Sequence, residues 1–208
     1  MKALKIILTL FFVFSTLLFS CEDVGQCGPV LPYFEIQGLK STNLKFTNTS
    51  SNLSVPIEAS ELVNWKDYFI RTTFDVKYQA FEQERKSGGA NLYALSCVPE
   101  GHAGSKVGLD TLYVVTLNDY NSNYKANDTI NKIILLNEWT YSLENYNQFK
   151  SPAQYIQENN KSVKAKTFEI KFNEKPGEAS SEQKFKIIYK LNNGRTFDVI
   201  TSSVKLNL

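Results

Sequence analysis

The sequence predicts a mainly β protein: an antiparallel β-sandwich, immunoglobulin-like or similar, with one or two short helices. Three observations support this prediction. Apolar and polar residues alternate along a central segment, the chain closes on a hairpin pattern, and turn signals separate seven or eight strand-like segments. A small closed barrel would leave the same pattern and is the alternative architecture.

The clearest alternation runs through residues 68–81, YFIRTTFDVKYQAF. Because successive side chains of a strand point to opposite faces, a period of two indicates a strand with one buried face. The buried face is expected to carry Tyr68, Ile70, Phe74, Val76, Tyr78 and Ala80, and the polar face Arg71, Thr73, Asp75, Lys77 and Gln79.

Shorter segments on both sides of this strand are also predicted to be extended. Alternating or β-branched residues indicate separate strands at 34–36, 44–46, 92–97, 110–117 and 168–172, with loops at 82–91 and 98–108. The chain ends in a predicted hairpin, in which residues 185–191 and 197–201 flank a type I′ turn at Asn193-Gly194.

The helical signals lie between residues 130 and 160. Residues 130–139, INKIILLNEW, fit a helix or a buried strand, because periodicity cannot separate the two over so short a run. Residues 151–159 predict a short helix. Ser151 would cap it, Pro152 would take the first helical position, and Gln154 would complete a capping box.

The first twenty residues predict export. A basic start, with Lys2 and Lys5, precedes the apolar run of residues 6–19, which is too short for a membrane-spanning helix. The sequence Leu18-Phe19-Ser20-Cys21 resembles the lipobox of bacterial lipoproteins. The resemblance implies cleavage after Ser20 and acylation of Cys21, and two or three acyl chains are enough for stable membrane anchoring.

These features divide the chain into a removed signal peptide (1–20), a lipidated tether (21–32) and one β-sandwich domain (33–208). The three cysteines are Cys21, Cys27 and Cys97. If lipid occupies Cys21, an even pair remains in an oxidising compartment, so we expect a disulfide between Cys27 and Cys97. The alternative is two free thiols, one on the tether and one in a strand.

Composition excludes several functions. Loss of the two signal-peptide lysines leaves 21 basic residues against 21 acidic ones, and a neutral chain is not expected to bind nucleic acid. His102 is the only histidine, and the nucleophile-elbow, HExxH and Walker patterns are absent. We therefore predict no catalytic residue, metal site or cofactor, although a pair of carboxylates would suffice for a glycosidase.

Residues 118–129, NDYNSNYKANDT, have the most unusual composition and are expected to form an exposed loop. Tyrosine rings stack on sugars and amides bind hydroxyl groups, so the loop could recognise a glycan; the alternative is a plain polar connection. The candidate ligand-binding residues are Tyr120, Tyr124, Asn121 and Asn123. Trp65 and Trp139 are similar stacking candidates, with burial in the core as the alternative.

Two short motifs, Asp110-Thr111-Leu112 and Asp128-Thr129-Ile130, resemble the O-glycosylation sequon of Bacteroidetes-type bacteria, which makes Thr111 and Thr129 candidate modification sites. The chain also has the lipobox followed by the acidic Glu22-Asp23, the SCVP stretch at 96–99, a strand and polar-loop pattern after it, and a closing hairpin with NNGR and then TSSVKL. In these features it is similar to uncharacterised β-rich lipoproteins of such bacteria. The resemblance implies an outer-membrane lipoprotein, on either the periplasmic or the surface face, with no known chemistry.

The function expected from these features is a non-catalytic binding or structural module that is held on a membrane and presents loops to a protein partner or a glycan. The first alternative is a fimbrial or adhesin-type subunit, because fimbrial lipoproteins of these bacteria are also sandwiches. Those subunits are commonly matured by cleavage after an arginine. The first arginine here, Arg71, lies inside the most clearly predicted strand, which argues against that route. The second alternative is a glycan-active enzyme.

Overall fold

The computed structural model describes residues 31–48, 53–58, 61–80, 99–138, 148–177 and 181–208. The predicted signal peptide, Cys21, Cys27, Cys97, Trp139 and the predicted strand at 92–97 lie outside these ranges. The strands are β1 (Tyr33–Asn48), β2 (Leu53–Pro56), β3 (Leu62–Asn64), β4 (Tyr68–Gln79), β5 (Gly104–Ser105), β6 (Leu109–Thr116), β7 (Ile134–Glu138), β8 (Thr167–Phe172), β9 (Ser181–Gln183), β10 (Phe185–Leu191), β11 (Thr196–Ile200) and β12 (Val204–Asn207).

The strands form three sheets. A large sheet has the order β2-β1-β4-β8-β7, and β5 adds to the start of β1. A small sheet has the order β11-β10-β6, and a third sheet, which contains the end of the chain, has the order β3-β12-β9. All pairs of the large and small sheets are antiparallel except that between β1 and β5.

The large and small sheets pack face to face through aromatic side chains. The rings of Phe74 on β4 and Tyr189 on β10 lie 4.9 Å apart, and so do those of Phe172 on β8 and Phe185 on β10. Buried aliphatic residues from all three sheets complete one core. The predicted β-sandwich is therefore confirmed, and the alternation correctly identified the inward face of β4 from Tyr68 to Tyr78. Ala80, also expected on that face, follows the end of the strand and is exposed.

One strand prediction needs correction, and one open alternative is decided. The two strands expected at 34–36 and 44–46 are one strand, β1, because residues 33–45 pair with β4 throughout; a bulge between Ile36 and Gly38 interrupts the alternation. Of the two alternatives for residues 130–139, helix or buried strand, the described residues 130–138 bear out the strand. A single 3-10 turn, Asn131–Ile133, leads into β7, which pairs with β8 and buries three of its five residues.

The closing hairpin is present, but its turn is not type I′. The Gly194 N–H donates to the carbonyl oxygen of Leu191 at 2.9 Å, and the Leu191 N–H donates to that of Arg195 at 2.9 Å. Gly194 has a φ of 84°, and Asn193 is not among the residues of positive φ. The connection is therefore a three-residue loop, in which glycine supplies the left-handed conformation that closes a type I turn.

The short helix α1 (Pro152–Asn159) forms as predicted. The Gln154 N–H donates to Ser151 Oγ at 3.3 Å, and the Ser151 N–H donates to Gln154 Oε1 at 3.1 Å, which completes the capping box. Tyr155 anchors the helix on the core, where its ring lies 5.6 Å from that of Phe168. Within the described ranges, no helix is long and apolar enough to cross a membrane.

Candidate functional site

A cleft of about 1000 Å³ opens at one end of the sandwich, next to the start of β4 and the ends of β6 and β8. Three connections line it: the turn between β3 and β4, residues 119–122 and 125 of the polar loop, and residues 173–177. Sites for small ligands occupy concave volumes of roughly this size. The cleft therefore combines the loop singled out from the sequence with two segments that are far from it along the chain.

Tyr120 forms the floor of the cleft and is only 1% exposed. Its ring stacks on Phe172 with 5.5 Å between the ring centroids, and its hydroxyl donates to the carbonyl oxygen of Glu174 at 2.6 Å. Burial, together with the nearby Glu174 charge, raises the pKa of the Tyr120 phenol, which stays a neutral donor. The expectation of an exposed Tyr120 ring is wrong, because the ring completes the core and cannot stack on a sugar.

Asn121 stands on the cleft wall and organises the loop beside it. Its side-chain oxygen accepts the N–H groups of Asn123 at 2.9 Å and Tyr124 at 3.1 Å, as in an Asx turn. In this turn Tyr124 is half-buried against the core and Asn123 is exposed, and neither lines the cleft. Of the four predicted ligand-binding residues, the cleft thus brings together Tyr120 and Asn121.

Asp119 is an acceptor whose geometry is fixed by its own loop. Its carboxylate accepts the Ala126 N–H at 3.0 Å and forms an ion pair with the Lys125 ammonium, also at 3.0 Å. The backbone hydrogen bond from Ala126, followed by the contact with Lys125, lowers the pKa of the Asp119 carboxyl. At neutral pH, this part of the wall therefore presents a fixed and locally balanced pair of charges.

The opposite wall is the connection that follows β8. The Gly177 N–H donates to the carbonyl oxygen of Tyr120 at 2.7 Å, which joins this wall to the polar loop. A Cβ atom at Gly177 would lie 3.0 Å from the Cα of Asn121, so glycine permits this close approach. The exposed Glu174 and Lys175 on the same wall add one charge of each sign.

Trp65 supplies an aromatic surface to the cleft. It is half-buried, it packs against the core, and its backbone N–H donates to the carbonyl oxygen of Asn207 at 3.2 Å. The Lys66 ammonium lies 5.9 Å from the centroid of its ring. Burial of Trp65 in the core is thus met in part, and the residue also lines the cleft, whereas its stacking on a ligand stays a prediction.

The remaining predicted positions lie away from the cleft. Thr129 is exposed, whereas Thr111 is half-buried and donates to Asp110 Oδ2 at 3.1 Å. His102 is exposed, with its Nδ1 atom 3.3 Å from the carbonyl oxygen of Pro99. Across the described part of the chain, no three His, Cys, Asp or Glu side chains come together as metal ligands would.

Sequence reasoning did not anticipate the wall formed by residues 173–177. The signal for it was the turn sequence NEKPG directly after the predicted strand at 168–172. A turn signal shows that a loop follows the strand, but it does not show which other loops lie at the same edge of the fold. Comparison with known proteins adds no constraint, because no family model, curated protein or solved structure significantly matches the chain.

Proposed function

We propose that this protein is a membrane-anchored, non-catalytic binding module whose cleft recognises a carbohydrate. The observation that carries the proposal is the composition of the cleft, in which the indole of Trp65 lies near amide, hydroxyl and charged side chains. Sugars offer an apolar face to an aromatic ring and hydroxyl groups to polar side chains, and this combination suits both.

The polar groups of the cleft suit a ligand rich in hydroxyl groups. Ser122 is exposed on the wall, and the Asn121 oxygen is occupied by its own turn, which leaves the Asn121 amide nitrogen to donate outward. The charged lining residues are Asp119, Lys125, Glu174 and Lys175, two of each sign. This balance favours neutral oligosaccharides over strongly anionic ones.

Binding rather than catalysis is proposed because Asp119 is unsuited to proton transfer. Hydrolysis of a glycosidic bond needs two carboxyl groups, one of them held protonated at working pH. Both oxygens of Asp119 are engaged, and the lowered pKa keeps this group ionised. A fixed carboxylate of this kind serves better as a hydrogen-bond acceptor for sugar hydroxyl groups.

The cleft lies at the end of the sandwich far from the proposed lipid anchor, and this position supports binding of ligands away from the membrane. Strand β4 runs from Tyr68, beside the cleft, to Gln79, which pairs with Tyr33 at the start of the domain. At ~3.3 Å per residue, these two ends lie roughly 35 Å apart. A lipid on Cys21, ahead of Tyr33, would therefore leave the cleft facing away from an outer membrane of the cell envelope.

Carbohydrate binding in the cleft is tested on a glycan array with the unmodified protein and two variants. Trp65→Ala should weaken binding to the best neutral oligosaccharide about tenfold or more, because the stacking surface is lost. Ser122→Trp should abolish binding, since an indole at this exposed wall position would fill the cleft. Tyr113→Ala and Ser203→Trp are matched controls at exposed positions outside the cleft, and both should bind as the unmodified protein does.

Two results would contradict the carbohydrate proposal. The first is the absence of binding to any oligosaccharide of the array by the unmodified, folded protein. The second is binding that survives both Trp65→Ala and Ser122→Trp, which would put the ligand elsewhere. Circular dichroism of each variant confirms that a loss of binding does not come from unfolding.

The anchor is tested separately by the Cys21→Ala variant in cells labelled with a palmitate analogue. The unmodified protein should incorporate label and fractionate with membranes, whereas the variant should take up no label and remain uncut or soluble, because acyl chains supply nearly all of the membrane affinity. A variant that is still processed and firmly membrane-bound would refute lipidation at Cys21.

A further inference from the structure

We infer that two buried side chains outside the cleft, Thr116 and Gln183, are positioning residues for ligand binding. Both residues are 0% exposed, and neither lines the cleft. They hold the polar loop, residues 118–129, in the conformation in which Asn121 and Ser122 stand on the cleft wall. The inference rests on the proposed carbohydrate function, because it names the residues that prepare that same site for its ligand.

The first three carbonyl groups of the polar loop accept hydrogen bonds from three different parts of the chain. Thr116 Oγ1, at the end of β6, donates to the carbonyl oxygen of Asn118 at 2.7 Å. Gln183 Nε2, at the end of β9, donates to that of Asp119 at 3.1 Å. The carbonyl oxygen of Tyr120 accepts a backbone N–H from the opposite wall at 2.7 Å. Three consecutive peptide groups therefore have fixed directions where the loop enters the cleft.

Thr116 also binds the other end of the polar loop through its backbone. Its N–H donates to the carbonyl oxygen of Asp128 at 3.1 Å, and its own carbonyl oxygen accepts the Asn127 N–H at 2.6 Å. One buried residue therefore holds the entry of the loop with its hydroxyl and the exit with its peptide groups. Removing only the hydroxyl would free the entry while the exit stays bonded.

Gln183 reaches the polar loop from the sheet that contains the end of the chain. It pairs with Val204 of β12, and its side chain is completely buried. Burial of an amide costs free energy unless the amide is hydrogen-bonded, whereas an apolar residue of similar size would carry no such cost. Packing alone therefore does not account for a glutamine here, and the hydrogen bond to the backbone of Asp119 gives the amide its role.

Internal hydrogen bonds occupy most polar groups of the polar loop, but two groups on the cleft wall stay available. The Tyr120 N–H donates to the carbonyl oxygen of Tyr124 at 2.9 Å, and the Asn121 oxygen accepts two N–H groups of its own turn. Within the described residues, no hydrogen bond engages the Asn121 amide nitrogen or the Ser122 hydroxyl. These are the donors that the held loop offers to a sugar.

Holding the polar loop in advance reduces the conformational entropy that a ligand must remove when it binds. If the entry of the loop were released, the donors of Asn121 and Ser122 would have to be ordered by the ligand itself. A hydrogen bond of this kind contributes roughly fivefold to an equilibrium constant. Thr116 and Gln183 therefore affect affinity without touching the ligand.

Calorimetric titration with the neutral oligosaccharide that the unmodified protein binds best on the array tests this effect. Thr116→Val and Gln183→Met remove one donor each and nearly preserve side-chain size, so each should weaken binding about fivefold. The double variant should weaken it about twentyfold. Thr116→Ser keeps the hydroxyl and should restore the affinity of the unmodified protein. The matched control is Thr201→Val, a buried threonine whose Oγ1 accepts the Phe185 N–H at 3.1 Å outside the loop, and it should leave the affinity unchanged.

A second measurement needs no ligand. The Asp119 carboxylate accepts the Ala126 N–H only when both ends of the polar loop are in place, and this hydrogen bond lowers the pKa of the Asp119 carboxyl. In nuclear magnetic resonance titrations, Thr116→Val and Gln183→Met should raise this pKa toward its ordinary value. The Ala126 amide should also exchange with solvent about fivefold faster. Thr201→Val should change neither quantity.

Two results would overturn the inference. One is an Asp119 pKa and an Ala126 exchange rate that stay unchanged in Thr116→Val and Gln183→Met. The other is a loss of affinity in these variants no larger than that in Thr201→Val. A folded protein that binds no oligosaccharide of the array contradicts the carbohydrate proposal alone, because the titration and exchange measurements decide without a ligand whether the two side chains hold the loop.

Discussion

Replacing Tyr120 by alanine should destabilise the whole domain, although the residue belongs to a loop of polar sequence. The side chain is 1% exposed, stacks on Phe172 and donates to the carbonyl oxygen of Glu174. Removing a buried aromatic ring costs about 3–5 kcal/mol, and the lost hydrogen bond about 1 kcal/mol. We therefore expect a loss of about 4 kcal/mol, out of a total stability of roughly 5–15 kcal/mol.

Urea unfolding followed by tyrosine and tryptophan fluorescence measures this loss. With a slope of about 2 kcal/mol per molar urea, Tyr120→Ala should lower the unfolding midpoint by about 2 M. Tyr120→Phe keeps the ring and should cost only about 1 kcal/mol. Tyr113→Ala, at a tyrosine that is 46% exposed, should cost less than about 0.5 kcal/mol. Equal, small shifts for Tyr120→Ala and Tyr113→Ala would refute the assignment of Tyr120 to the core.

Two further predictions concern the backbone and the loop. Gly108→Ala would bring a Cβ atom within 1.9 Å of the carbonyl oxygen of Asn160. We therefore expect the free energy of unfolding, measured in urea, to fall by about 3 kcal/mol or more. A decrease below about 1 kcal/mol would contradict this close approach. The Asp119 carboxyl, whose folded-state pKa is lowered by the Ala126 N–H and by Lys125, stabilises the loop above its unfolded-state pKa. As pH falls through the folded-state pKa, the Ala126 amide should lose hydrogen-exchange protection, and Asp119→Asn should show that loss already at pH 7.

The sequence predicted the sandwich because its strongest signals are local. Along β4, burial on one face forces alternation, and the capping box of Ser151 and Gln154 marks the start of α1 within four residues. Strands β2, β3, β5, β9 and β12 were not predicted, because a pattern of two to four residues is too short to separate a strand from a loop. Such strands exist through their pairing partners, which are distant in sequence.

The candidate site was predicted in part, for a similar reason. Composition identified residues 118–129 as unusual, but two tyrosines four residues apart gave no indication of which one is buried. Tyr120 is buried because Phe172 and Phe185, from β8 and β10, meet beneath the loop, and Tyr124 instead packs at the edge of the core. Only the packing of β8 against β10, which brings Phe172 and Phe185 together, decides between them.

Strand register also determines where the cleft lies relative to the proposed lipid anchor. Alternation along β4 predicts which face is buried, but the direction of the cleft depends on which end of β4 meets the start of β1. The pairing of Tyr33 with Gln79 puts the start of the domain at one end, while Trp65, which precedes Tyr68, lies at the other. A shift of one residue in the pairing of β4 would turn its buried face outward, so the core enforces this register. The same packing that stabilises the sandwich therefore separates the cleft from the start of the domain by the length of a strand.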